Sequence, residues 1–111
     1  MPRLIQPSHP QEVEAIIEIL GNRAHAAILR HLCQVGPSTT GEILSGIVLD
    51  SGKKLTRPSL QHHLEALERA AAVTADHPRG QRHGKRVKYE ANIDAVEFEM
   101  LPAYVSYLRG K

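Results

Sequence analysis

Apolar residues recur at helical spacing in five stretches, each bounded by residues that start or stop helices. Val13, Ile16, Ile17 and Leu20 form the first. Ser8 or His9 ahead of Pro10 marks its start, Glu12 and Glu14 suit its N-terminal dipole, and Gly21-Asn22 ends it. Asn22 is placed to cap a second helix from Arg23 to about Val35, with Ala24, Ala27, Ile28, Leu32 and Val35 as its inward stripe, and Gly36-Pro37 as its stop. Ser38-Thr39-Thr40 offers several N-caps for a third helix, Gly41 to about Leu49, which turns Ile43, Leu44 and Ile47 inward. Turn residues fill 50–54. Thr56 then caps a fourth helix over 56–70, with Pro58 in its first turn and Leu60, Leu64, Leu67 and Ala71 inward.

The period then changes. Val73 to Asp76 and Lys85 to Ala91 alternate as two paired strands do, with His77 to Gly84 as a loop longer than a tight turn. A last helix is predicted over Ile93–Leu108, with Ile93, Val96, Met100, Tyr104 and Leu108 on one face. Pro102 should kink or split it, because an interior Pro costs ~3 kcal/mol. The order is α-α-α-α-β-β-α, mainly helical with a small β-hairpin. A length of 111 residues suits one domain over 1–111.

Composition restricts what that domain can be. Apolar residues make up 41% and aromatic ones 4%, so the core must be aliphatic. The single cysteine, Cys33, excludes an internal disulfide, and its place near the inward stripe of the second helix predicts a buried thiol. The N-terminus carries no apolar targeting core, and no apolar run approaches ~18 residues, so a cytoplasmic, soluble protein without a membrane partner is expected. The overall charge of +2 hides a strong asymmetry. Residues 51–88 hold nine basic and three acidic side chains, a net of +6, while the segments on either side each carry −2. A concentrated basic region of this kind points to a polyanionic partner for one face.

Several words in this order resemble the ArsR-like winged helix-turn-helix regulators, over roughly residues 15–95. Ile19–Leu32 (ILGNRAHAAILRHL) is similar to the family's second-helix signature, and Gly36–Leu44 (GPSTTGEIL) to the start of its helix-turn-helix. Leu55–Leu67 (LTRPSLQHHLEAL) resembles its recognition helix, and Arg86–Glu90 (RVKYE) its second wing strand. The chain departs from the family in the turn. Thr56 stands about six residues further from Gly41-Glu42 than the tight turn would place it, so the third helix and the turn are lengthened. The resemblance implies a DNA-binding regulator with its recognition helix at 56–70 in the major groove and a basic wing at 76–88.

The residue chemistry agrees with that implication. With the leucines inward, Arg57, Ser59, Gln61 and His62 face outward near the helix start. Arg pairs with guanine, Gln with adenine, and Ser adapts to either. Thr56 and the helix N-terminus can meet a phosphate. Lys53, Lys54, Arg79, Arg82, Lys85, Arg86 and Lys88 are expected on the DNA backbone, with Arg79 or Arg82 able to enter a minor groove.

The expected partners are double-stranded DNA and a second copy of the chain. The dimer would be built from the first and last helices, about 10–20 and 93–108, through Val13, Ile16, Ile17, Leu20, Met100, Leu101, Tyr104 and Leu108. Two-fold symmetry would then call for an inverted repeat with half-sites about 10 bp apart.

Two rival readings keep the same parts. The chain could coat repeated DNA sites as an architectural or segregation protein, or use its basic hairpin on an acidic protein. Metal sensing finds little support: His62 and His63 point ~100° apart on a helix, and His77 with His83 would supply only two ligands. His63 is expected to border the core. No metal or other cofactor is implied. Phosphate-loop, nucleophile-elbow and zinc-protease motifs are absent, and Ser59 near His62 or His63 lacks a third catalytic partner, so no enzyme is expected.

Overall fold

The computed structural model describes residues 10–47, 52–78 and 80–110. Helices α1 (Pro10–Leu20), α2 (Arg23–Val35), α3 (Thr40–Gly46) and α4 (Arg57–Arg69) precede strands β1 (Val73–Ala75) and β2 (Tyr89–Ala91). A continuous helical segment follows: α5 (Ile93–Ala95), a π-helical turn (Val96–Met100) and α6 (Leu101–Leu108). Among the described residues no helix is long and apolar enough to cross a membrane.

Local caps set the starts of three helices. Asn22 Oδ1 accepts from the N–H groups of Ala24 and His25 at 2.9 and 3.1 Å. Thr39 and Glu42 form a reciprocal capping box on α3, in which the Glu42 carboxylate accepts the Thr39 N–H at 2.8 Å. That backbone bond, then the Thr39 hydroxyl, holds Glu42 below the usual carboxylate range. Thr56 Oγ1 accepts the Ser59 N–H at 3.2 Å at the start of α4. The proposed start of α1 at Ser8 or His9 lies outside the described residues. So does the expected end of α3 at Val48-Leu49; its last helical residue is Gly46, and Ile47 is extended. Gly46 leaves the space that the His31 ring occupies, since a Cβ there would overlap its Cε1 and Nδ1.

The core lies between α2, α3, α4 and the hairpin. Ile28, Ile43, Leu60, Leu64 and Leu67 are fully buried, and Leu32, Ile47, Ala72, Val73 and Tyr89 are buried around them. Ile19 closes it from α1, while Val96 and Met100 close it from the C-terminal helix. Three expected inward positions are exposed. Val35 ends its helix beyond the core, and Cys33 stands ~100° past the buried Leu32, so the thiol faces solvent. Ala71 is the third, and here the helical phase breaks. The N–H of Ala72 reaches the Leu67 carbonyl at 2.9 Å, and that of Ala71 reaches Glu68 at 3.0 Å, so α4 ends in a Schellman turn. Ala72 takes the core place, and Ala71 sits at φ +65°.

A left-handed residue with a Cβ is strained by ~1–2 kcal/mol, partly offset by the greater unfolded-state freedom of glycine. Ala71→Gly is therefore expected to stabilise the protein by about 1 kcal/mol, read as a rise of roughly 4–8 °C in the thermal midpoint. A fall in the midpoint would contradict the assignment.

The hairpin is antiparallel, pairing Val73 with Ala91, Thr74 with Glu90 and Ala75 with Tyr89. It is shorter than the alternation predicts. Asp76 and the 85–88 segment are not strand, although the Asp76 N–H still reaches the Lys88 carbonyl at 3.0 Å. The Asp76 carboxylate takes the Lys88 N–H at 2.9 Å, so a side chain replaces the next rung of the ladder. That bond, then the one to His77, keeps Asp76 below its ordinary range. Ser38 adds a third line to the sheet, exchanging two backbone hydrogen bonds with Tyr89 at 2.8 and 3.0 Å.

Pro102 does not split its helix into separate pieces; helical residues run without a break from Ile93 to Leu108. The preceding turn widens, and the Leu101 N–H bonds five residues back to Val96. The π turn takes up the place where a proline ring would crowd an α-helical carbonyl. Val96 and Met100 face inward, Tyr104 is half-buried, and Ile93 and Leu108 are exposed.

Candidate nucleic-acid interface

The N-terminal ends of α3 and α4 meet through one side chain. Arg57 donates to Thr40 Oγ1 at 2.9 Å and remains exposed. One turn further along α4, Gln61 lines a cleft of about 450 Å³ with Thr39, Thr40 and Gly41 on one side. Arg82, Lys85, Arg86, Val87 and Tyr89 form its other side. Four elements of the sequence reading thus converge here, the α3 start, Gln61, Lys85 and Arg86, and Arg57 joins them through its bond to Thr40. Lys85, Arg86 and Lys88 are exposed, as are Lys53, Lys54 and Thr56, while Ser59 is half-buried. Arg79 lies outside the described residues. His62 is exposed but lines a different cavity, with Glu18, His25 and His63.

Arg82 does something that the charge pattern does not disclose. Its guanidinium grips both carboxylate oxygens of Glu68 on α4, and its Nε donates to the His77 carbonyl at 2.8 Å. It lies 5.9 Å from the centre of the Tyr89 ring. Hydrogen bonding to Glu68 holds it still more firmly protonated than usual. Both side chains of the pair are about one-fifth exposed, at 19% for Arg82 and 18% for Glu68. The expectation of an Arg82 reaching a phosphate meets a head group already engaged, and the loop between the strands is fastened to α4 by it. The one hint in the sequence is acidic residues, Glu65 and Glu68, late in a helix that a basic loop follows; it does not disclose the pairing.

A second contact missed from sequence joins α2 to α4. His63 borders the core as anticipated, and its Nδ1 lies 3.0 Å from Nε2 of the buried His25. Among the described residues no three His, Cys, Asp or Glu side chains gather as metal ligands.

No family model and no curated protein matches the sequence. The structure, however, is similar to the crystal structure of an ArsR family transcriptional regulator. The two share 22% sequence identity at a TM-score of 0.61, over 91% of this chain and 90% of that one. The fold is a winged helix-turn-helix. In the winged-helix frame α3 and α4 are the helix-turn-helix pair, and the segment between β1 and β2 is the wing. The cleft described above is therefore where the winged helix brings its second helix and its wing together.

The C-terminal helix of this winged-helix domain presents a separate apolar face. Phe98 is 68% exposed, Leu101 43%, Val105 42% and Leu108 63%, and α6 packs beside α1, which exposes Ile17. Of the side chains expected at a dimer interface, Val13 and Met100 are buried within the protomer, and Ile16, Leu20 and Tyr104 are half-buried. Phe98 and Val105, outside that expected set, are exposed on the same helix. Their i, i+3, i+7 relation to Leu101 and Leu108 was present in the sequence but lay off the face chosen around Met100.

Proposed function

We propose that the protein is a transcriptional regulator that binds double-stranded DNA as a homodimer, with α4 in the major groove and the wing on the backbone. The observation that carries this reading is the cleft lined by Gln61, Lys85 and Arg86 at the start of α3, with Arg57 hydrogen-bonded to Thr40 on its wall. Arg57 and Gln61, four residues apart, share one face of α4 and supply the hydrogen-bonding types that read guanine and adenine edges. Lys85, Arg86 and Lys88 supply backbone charge from the wing, and Lys53-Lys54 supplies it from the segment before α4. The exposed face of Ile17, Phe98, Leu101, Val105 and Leu108 supports the dimer, which would set two copies of α4 about one helical turn of DNA apart.

The deciding experiment is fluorescence anisotropy with genomic DNA from upstream of the protein's own gene, beside a shuffled duplex, across a salt series. A preference of roughly a hundredfold or more for the native fragment is expected. Arg57→Ala should weaken specific binding by about 1–3 kcal/mol and relax one base position. Equal, steeply salt-dependent binding of both duplexes would instead favour a protein that coats DNA through its backbone. Binding to neither at low salt would overturn the DNA reading.

A further inference from the structure

His25 sits in the first turn of α2 and is only 4% exposed. Its Nε2 stands 3.0 Å from His63 Nδ1 on α4, with the rings edge-to-face at a centroid distance of 4.8 Å. Thirty-eight residues of chain separate the partners, so the contact ties the α1–α2 corner to the middle of the helix placed on DNA. A hydrogen bond between two imidazole nitrogens needs one proton and one bare lone pair. An imidazolium can donate to a neutral partner. Two imidazoliums would point hydrogens at each other, and the contact cannot survive.

The surroundings offer a doubly protonated pair little help. His25 Nδ1 has no hydrogen-bond partner among the described residues, while the Ile19 and Glu18 backbone at the end of α1 favours its protonated form. A buried polar atom left this way calls for an explanation. From α1 the facing charge is Glu18, from α2 only the uncharged Asn22, and from α4 His62 beside His63. Burial first, then the charge of His63, pushes His25 below its ordinary value; the α1 carbonyls and Glu18 oppose this. Burial, then His62, does the same to His63. These groups line an open cavity of about 400 Å³, so protons reach the pair from solvent.

We propose that the His25–His63 pair is a proton-operated latch on α4, closed while at least one ring is neutral and released when both rings are protonated. The direction follows from linkage. The closed state binds fewer protons than the open one, so the stability it confers is whole above the ordinary histidine value of about 6.5. It is lost as pH falls from there through the lowered values of the two rings. The latch stands on its own geometry; that its release unseats a DNA-reading helix rests on the function proposed above.

The test is an NMR titration of the histidine ring resonances of the full chain from pH 8 to pH 5, with thermal midpoints measured over the same range. Both rings are expected to titrate below about 6.5. The wild-type midpoint should fall by about 5 °C or more between pH 7.5 and pH 5.5, a shift of the size a lost contact produces in a domain this small. His63→Gln, which can still accept from His25 but takes no proton, should lose less than half as much, while His83→Gln in the wing should follow the wild type. Independent titration of both rings near their ordinary value, or an equal loss in His63→Gln, would overturn the latch. Should His63→Gln fail to fold, the wild-type ring titration decides alone. No step needs DNA, so absence of duplex binding at every pH would overturn the DNA reading and leave the latch intact.

Discussion

Leu101→Glu is expected to convert a dimer into a folded monomer and to lower affinity for a two-half-site duplex by a hundredfold or more, the scale of effect that linked binding events produce. Leu101 stands among Phe98, Val105 and Leu108 on a face that the protomer leaves open, with Ile17 of the neighbouring α1. A carboxylate there meets water in the monomer at no cost to the fold, since Val96 and Met100 on the other side hold the helix to the core. In a dimer the same carboxylate would be desolvated against apolar side chains without a counter-charge, at a cost of several kcal/mol. Two copies of it would lie near the symmetry axis. Sedimentation velocity with a thermal melt separates dissociation from unfolding. A wild-type protein that sediments as a monomer, or a variant with unchanged sedimentation, would remove the dimer from the proposed function.

Arg82→Ala should loosen the wing without behaving as the loss of a phosphate contact. Substitution leaves the Glu68 carboxylate and the His77 carbonyl without this donor and removes the guanidinium beside Tyr89. Charge-assisted bidentate pairs are the stronger kind of hydrogen bond, but one-fifth exposure lets solvent screen part of this one. A loss of about 1–3 kcal/mol is expected, with the lower half of that range the better guide. Arg86 and Lys85 are exposed and held by no such grip among the described residues, so alanine at either should lower the slope of log affinity against log salt by about 0.9. Arg82→Ala should leave that slope nearly unchanged while lowering the thermal midpoint, and it should couple with Glu68→Ala in a double-mutant cycle. A slope change as large as that of Arg86→Ala would return Arg82 to the DNA backbone.

The elements legible in the sequence are those governed by neighbours. Asn22, Thr39 and Thr56 cap their own helices, and Leu60, Leu64 and Leu67 fall on one side of α4 by spacing alone, so the helices and their core faces could be placed from local pattern. Long-range choices of partner could not. Nothing within a few residues of Arg82 says that Glu68 will bind it, or that His25 will meet His63 rather than solvent. The boundary errors have local causes. A side chain, that of Asp76, stands in for a ladder bond and shortens the hairpin; Ala71 enters the left-handed region without being glycine; the turn before Pro102 widens instead of breaking. Of the cleft residues, Gln61, Lys85 and Arg86 can be read onto one surface from α4 and the wing, whereas the exposed stripe of Phe98 and Val105 lies beside the one that spacing around Met100 suggests.

The backbone exchange between Ser38 and Tyr89 makes the start of the helix-turn-helix and the base of the wing a single lever. The wing cannot swing about its base without pulling on the peptide next to the Thr39 capping box. Any motion that lifts the wing therefore tugs at the first turn of α3 as well, and the two segments should open together rather than in sequence. In hydrogen exchange this would show as one shared opening rate for the amides of Ser38 and Tyr89, lying far apart in the chain yet breathing in step.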